Sequence, residues 1–348
     1  MSKLNTYILE HTFITESGFS FDNPEIAYQT WGTLNEDKSN VVLVIHALTG
    51  NSNLEEWFQG LFWEKSPIDL NKHFVICINI PGSCYGSLGP WSINPKTGKA
   101  YKKDFPVFSI RDIARFQQHL LNGLGTQGIE LVIGGSMGGM IALEFALMDD
   151  RVNKLCLMVM GKSHSPWAIG ISHAQRMALY ADPKWNGGDY DKNDPPQAGL
   201  AAARAMAMLT YRAPSNYEYK FSRDRNTEKD LFEVESYLEY QGQKLVGRFD
   251  ALSYDRLTKS MDTHDVSRNR GPFEEVLGSL SVPTLVIGVD SDRLYPVSEQ
   301  KELVDLIPNS IYREITSGFG HDAFLIEFDQ INDFLTSFLK SEVDAIDA

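Results

Sequence analysis

From Tyr7 to Trp31 apolar and polar positions alternate: Tyr7 and Leu9, then Phe19 and Phe21, then Ile26 and Tyr28, with breaks at Ser17-Gly18 and Asp22-Asn23-Pro24. A period of two interrupted by turn residues predicts antiparallel strands at one edge of a sheet. The pattern then turns continuous. Val41-Val-Leu-Val-Ile45 and Phe74-Val-Ile-Cys-Ile78 are unbroken apolar runs, as strands buried on both faces require. The second runs into a loop rich in glycine and small residues, Asn79 to Pro90, of the kind that often carries function over a strand end. Ser109-Ile-Arg-Asp112 supplies the serine and the acid that cap a helix, predicted to run to Leu124. Leu131 to Ser136 predicts a strand and a tight turn, Met140 to Leu147 a helix, and Leu155 to Met160 another strand. Strands alternating with helices at this spacing predict a mostly parallel sheet with helices on both faces.

Between Ser163 and Ser281 the β-type runs cease. Helical spacing takes over in Ser172 to Ala181, Gly199 to Leu209, Thr227 to Gln241 and Arg248 to Met261, which predicts an all-helical insertion. The sheet pattern resumes at Pro283 to Val289, followed by a helix over Ser298 to Ile307, a strand over Ser310 to Ile315 and an amphipathic helix over Phe328 to Leu339. The acidic tail beyond is expected to fray. The predicted organisation is therefore an α/β core in two parts, residues 1–162 and 282–348, split by a helical lid over 163–281.

Composition narrows the partners more than the fold. A chain of 348 residues with 43% hydrophobic and 22% charged positions can bury a large core. Its formal net charge of -14 argues against nucleic acid or an anionic membrane surface, but not against a small anionic substrate bound at a local cationic site. The first residues lack an apolar signal region and no apolar run approaches membrane-spanning length, so the expected location is the cytoplasm. Three scattered cysteines, Cys77, Cys84 and Cys156, indicate neither a disulfide framework nor a metal site.

The chemistry centres on Gly134-Gly-Ser136-Met-Gly138. Glycines two before and two after a serine, between a strand and a helix, fit the sharp turn that lifts a nucleophile off the carboxyl end of a strand. The backbone N–H of Met137, opening the helix, would then face an oxyanion. A serine hydroxyl needs a base, and the base needs a carboxylate to orient it. His321 follows a late strand in the flexible loop Thr316 to Ala323, whereas His46 ends a strand before the nucleophile and is the weaker candidate. Asp290 and Asp292 both follow the strand ending at Val289. Asp292 is preferred because two more turn residues let the chain fold back toward His321. The order Ser136, Asp292, His321 is that of the α/β-hydrolase fold. The loop His46-Ala-Leu48-Thr-Gly50 is the place for the second oxyanion donor, with the Leu48 N–H as candidate.

Taken with their neighbours, these residues resemble a family. His46-Ala-Leu-Thr-Gly50, Cys84-Tyr-Gly-Ser87, Ser92-Ile-Asn-Pro95, Gly134 to Gly139, Glu235-Ser-Tyr-Leu238 with Tyr240-Gln-Gly242, and Gly320-His-Asp-Ala-Phe324 together are similar to the homoserine O-acetyltransferases. The resemblance implies acetyl transfer from acetyl-CoA, as a co-substrate and not a permanently bound cofactor, to the hydroxyl of L-homoserine in methionine biosynthesis. It implies a ping-pong course through an acyl-serine. It places nucleophile, acid and base on Ser136, Asp292 and His321, oxyanion donors on Leu48 and Met137, and amino-acid contacts on Arg204, Tyr211 and Asp322. Arg204 and Tyr211, seven apart, share a helix face if the helix persists that far. Arg212, Arg223 and Tyr237 are weaker alternatives. The resemblance also implies a homodimer through the lid, with Met206, Met208 and Leu209 in the contact. Succinyl-CoA as donor, serine as acceptor, plain ester or thioester hydrolysis, and a catalytically silent binding module remain the alternatives at this point.

Overall fold

The computed structural model describes residues 2–62 and 66–340. Eight strands form one sheet: β1 (Asn5–Ile8), β2 (Glu25–Trp31), β3 (Val41–Ile45), β4 (Phe74–Ile78), β5 (Ile129–Gly135), β6 (Leu155–Met158), β7 (Thr284–Val289) and β8 (Ser310–Ile315). Their spatial order is β1-β2-β4-β3-β5-β6-β7-β8, with β1 and β2 antiparallel at one edge and every pairing from β4 onward parallel. The alternating N-terminal pattern and the continuous later runs thus correspond to an antiparallel edge pair and a buried parallel sheet, except that Ser20–Phe21 leaves the edge to pair with Phe13–Ile14 in a separate two-stranded ladder. Along β3 the side chains of Val41, Leu43 and Ile45 enter one core and those of Val42 and Val44 the other. That division explains why the run is unbroken: both faces are covered.

The core helices are α1 (Ile110–Leu124) and α2 (Met137–Ala146), then, past the insertion, α9 (Val297–Leu306) and α10 (Phe328–Lys340), with α3 to α8 left for the lid. Ser109 caps α1 by accepting the Asp112 N–H while Asp112 accepts the Ser109 N–H, and Gly125 ends the helix in the left-handed conformation at φ 76°. In α10 Ile331, Leu335 and Phe338 form the buried stripe.

The lid helices are α3 (Pro166–Tyr180), α4 (Gln197–Tyr211), α5 (Pro214–Phe221), α6 (Glu233–Val246), α7 (Ala251–Asp262) and α8 (Phe273–Gly278). The insertion is helical apart from a small antiparallel ladder, Arg225–Asn226 with Leu231–Phe232, which corrects the all-helical expectation and delays the start of α6 to Glu233. Helix α3 begins six residues before Ser172, at Pro166, because Ser165 caps it by accepting the Ala168 N–H. Met208 is buried inside the chain while its neighbour Leu209 is exposed, so Met208 cannot serve the subunit contact expected of it. The acidic tail lies outside the described residues.

Candidate active site

The register of the parallel strands brings four strand ends together. Ile45 at the end of β3 pairs with Gly134, Gly135 at the end of β5 pairs with Met158, Met158 pairs with Ile287, and Val289 at the end of β7 pairs with Ile315. The loops that leave these ends carry Leu48, Ser136, Asp292 and His321. Ligands of such sheets bind in the crevice outside the carboxyl ends of the strands.

Ser136 sits at φ 54° and ψ -126°, a backbone conformation that a non-glycine residue adopts only under strain. Its N–H donates to the Met158 carbonyl at 2.9 Å, which anchors the turn to the adjacent strand end. The turn is tight on both flanks. A Cβ on Gly134 would come within 2.3 Å of the Gly138 carbonyl oxygen, and one on Gly138 within 2.2 Å of the Ile45 carbonyl oxygen. The second contact means that the start of α2 lies directly against the end of β3. That approach brings Met137, whose N–H opens the helix without an intrahelical acceptor, beside the loop carrying Leu48.

The acid and base meet across the sheet. His321 Nδ1 donates to Asp292 Oδ2 at 2.7 Å, and the other carboxylate oxygen of Asp292 accepts the backbone N–H groups of Leu294 at 2.8 Å and Tyr295 at 3.0 Å. Three donors hold this buried carboxylate in one orientation, so the neutral imidazole carries its proton on Nδ1 and presents the lone pair of Nε2. Asp290 is elsewhere: its Oδ1 accepts the Ser317 N–H at 3.1 Å and ties down the loop that bears His321. His46 is buried with Nδ1 donating to the Ala47 carbonyl at 2.9 Å and Nε2 accepting the Ile80 N–H at 3.2 Å, both nitrogens engaged. Burial pushes its pKa down to about 4, so it stays neutral.

The His321 ring packs between Tyr295, Tyr211 and Phe324, with centroids 5.3, 5.7 and 5.6 Å away. Tyr211 closes α4, and one helix face also carries Arg204, whose guanidinium lies 5.3 Å from the Tyr211 ring centre. Asp322 pairs with Arg212 at 2.9 Å. Burial pushes the Asp322 carboxyl above the ordinary carboxylate range, against the pull of Arg212, His321 and Arg204. Arg212, a weaker alternative in the sequence, is thus the resident counter-ion of Asp322.

Leu48, Ser136, Arg204, Tyr211, His321 and Asp322 line one cavity of about 380 Å³ together with Asn51, Glu56, Trp57, Lys244 and Arg248. Lys244 and Arg248 escaped sequence reasoning, since a basic residue near a helix end carries no signal of the cavity it faces. In a chain of net charge -14 the cavity around Ser136 carries three cations, Arg204, Lys244 and Arg248, beside the carboxylates of Asp322 and Glu56. The arrangement sets a serine, an imidazole oriented by a carboxylate, and charged groups of both signs around one space.

The α/β hydrolase fold family matches residues 40–328. A homoserine O-acetyltransferase from Chlorobium chlorochromatii is 48% identical over 338 residues, 96% of this chain and 94% of that protein. The crystal structure of homoserine O-acetyltransferase from Bacillus anthracis superposes with a TM-score of 0.91 at 28% identity, covering 97% of this chain and 98% of that one. Esterase E22 superposes at 0.89 over 97% of this chain and 100% of its own, with 24% identity, a likeness of fold alone. Similarity of this order along nearly the whole length means that the chain belongs to the homoserine O-acetyltransferases, within the α/β-hydrolase fold.

Proposed function

We propose that the protein transfers the acetyl group of acetyl-CoA to the side-chain hydroxyl of L-homoserine in two displacements through an acetyl-serine. The observation that carries this reading is the single cavity in which Ser136 and His321 share walls with Arg204 and Asp322. A hydrolase needs only the first pair. The second is the recognition set for an amino acid, a guanidinium fork for the α-carboxylate and a carboxylate for the α-ammonium.

In the first half-reaction His321 Nε2 takes the Ser136 proton as Oγ attacks the thioester carbonyl. The N–H groups of Leu48 and Met137 receive the oxyanion, each contributing about 3 kcal/mol to the transition state by analogy with other such sites. Collapse breaks the carbon–sulfur bond, and His321 returns the proton to the departing thiolate. In the second half-reaction the homoserine hydroxyl gives its proton to His321 as its oxygen attacks the acetyl carbonyl; collapse breaks the bond between the acyl carbon and Ser136 Oγ, and His321 returns the proton to Oγ. The lid over the cavity excludes water, which would otherwise take the acetyl group. CoA enters and leaves as a co-substrate, and Lys244 on the cavity wall is the cation placed to meet an anionic donor.

The reading extends to assembly and location. Trp167, Met177, Leu209, Tyr219 and Tyr240 leave large apolar surfaces exposed on the lid, which supports a homodimer formed there. Light scattering that gives one chain per particle would overturn the dimer. Among the described residues no helix is long and apolar enough to cross a membrane, which accords with a cytoplasmic biosynthetic enzyme.

Crossing acetyl-CoA and succinyl-CoA with L-homoserine and L-serine, and following thiol release, tests donor and acceptor together. Steady release only with acetyl-CoA and homoserine is expected. Release at the same rate without an acceptor would instead identify a thioester hydrolase.

A further inference from the structure

The Leu48 N–H does not stand alone. It belongs to the planar peptide whose carbonyl is Ala47, and that carbonyl accepts the Gly50 N–H at 2.9 Å as well as His46 Nδ1. The Gly50 N–H belongs in turn to the peptide whose carbonyl is Thr49, and the Thr49 carbonyl accepts Nη1 of Arg248 at 2.7 Å. A line of hydrogen bonds therefore runs from a guanidinium through two peptide groups to the oxyanion donor.

The anchor of this line is rigid. Arg248 follows α6 at the joint with α7. The adjoining Phe249 is buried, and Asp250 accepts from the Trp91 indole at 2.8 Å, the Tyr190 hydroxyl at 2.6 Å and the Ser253 N–H at 2.8 Å. The side chain is fixed a second time by Tyr85, whose hydroxyl accepts from Nη1 at 2.8 Å and donates to the Arg248 carbonyl at 3.1 Å. Nη2 reaches the Thr49 hydroxyl at 3.4 Å. All of these acceptors of the guanidinium, the carbonyl and hydroxyl of Thr49 and the hydroxyl of Tyr85, are neutral, so its hydrogen bonds are directed onto the loop.

We propose that Arg248 is a positioning residue for catalysis: from the lid it fixes the Thr49–Gly50 peptide and, through it, aims and polarises the Leu48 N–H. A cation on the first carbonyl strengthens donation by the next N–H, and so along the chain, because hydrogen bonds in series polarise one another. The lid and the oxyanion hole are then one unit, completed only when α6 and α7 are in place. The inference rests on the assignment of the Leu48 N–H as an oxyanion donor.

Both half-reactions pass through an oxyanion, so a defect in the hole slows both, whereas a defect in donor binding touches one. Presteady-state rates of CoA release and of acetyl transfer to homoserine are to be measured for Arg248→Met and Arg248→Lys. A third protein replaces the Leu48 backbone amide by an ester, which removes only the N–H. Since losing a whole donor costs about 100-fold or more, Arg248→Met is expected to slow both saturated rates roughly tenfold or more, with KM values held within about twofold and part of the rate restored in Arg248→Lys. A rise confined to the KM for acetyl-CoA would make Arg248 a counter-ion for the donor and overturn the proposal. Slow turnover by the ester protein with full rates in Arg248→Met would overturn the proposal alone. Full rates in the ester protein would remove the oxyanion assignment and the proposal with it.

Discussion

At Asp292 and Asp290 two carboxylates two residues apart make different contacts. Asp292 orients His321, and its replacement by Asn offers the ring a side chain that can turn its amide toward Nδ1 and stabilise the wrong tautomer, a loss of about 10³- to 10⁴-fold in kcat. Asp290 only accepts a backbone N–H, a bond that Asn can also accept, so Asp290→Asn is expected to keep kcat within about threefold. Steady-state kinetics of the pair, with equal folding checked by circular dichroism, decide the assignment; equal losses would contradict it. The strand-to-turn step after Val289 carried this distinction in the sequence, because the second aspartate leaves the chain room to return. The role of Arg212 was not legible. Tyr211 ends α4, Arg212 turns to extended angles of φ -118° and ψ 148°, and its partner Asp322 lies in a short 3-10 helix, Gly320–Leu325, that no periodicity connects to it.

At the scale of elements, the approach of α2 to the end of β3 depends on Gly138. A methyl there would meet the Ile45 carbonyl oxygen at 2.2 Å, so Gly138→Ala must push the helix start and the strand end apart. The expected cost is about 1 to 3 kcal/mol of stability with a larger loss of activity, since Met137 and the Leu48 loop separate. Chemical denaturation and kcat on the same sample check this, and unchanged values for both would refute the packing account. Core elements were legible because buried parallel strands and capped helices leave local signals, as at Val41 to Ile45 and at Ser109. The lid was less so. Helix α5 is short and weakly patterned, and the ladder beside it joins only two residues from each segment. Their order comes from packing on neighbours and not from their own sequence.

For the whole molecule, burial shifts titrating groups in opposite senses, His46 and His164 downward and Glu299 upward. His46 has its pKa pushed down by burial to about 4, below the ordinary 6.5 it regains on unfolding. Between these values the unfolded chain takes up a proton that the folded chain refuses, so the stability present above pH 6.5 is lost as the pH falls toward 4, about 2 kcal/mol of it by pH 5. His164, pushed down to about 3 by burial and by His264 and Arg176, adds in the same direction. Glu299, raised to about 7 by burial, works in the opposite sense, since below that pH the folded chain holds a proton that the unfolded chain releases. The test is therefore the difference between proteins: on going from pH 7 to pH 5 the melting temperature of the wild type is expected to change less favourably than that of His46→Gln, which has no proton to gain there; equal changes would remove His46 as the cause.

The central claim is that one cavity passes an acetyl group from a thioester to Ser136 and then to an amino acid. Rapid mixing of the enzyme with excess acetyl-CoA and no acceptor, followed by thiol detection and intact mass, tests it most directly. The account predicts a burst of CoA close to one per active site, an added acetyl group located on Ser136, and its removal on addition of L-homoserine. No thiol and no acetyl-Ser136 until homoserine is added would mean direct transfer in a ternary complex and would contradict the account.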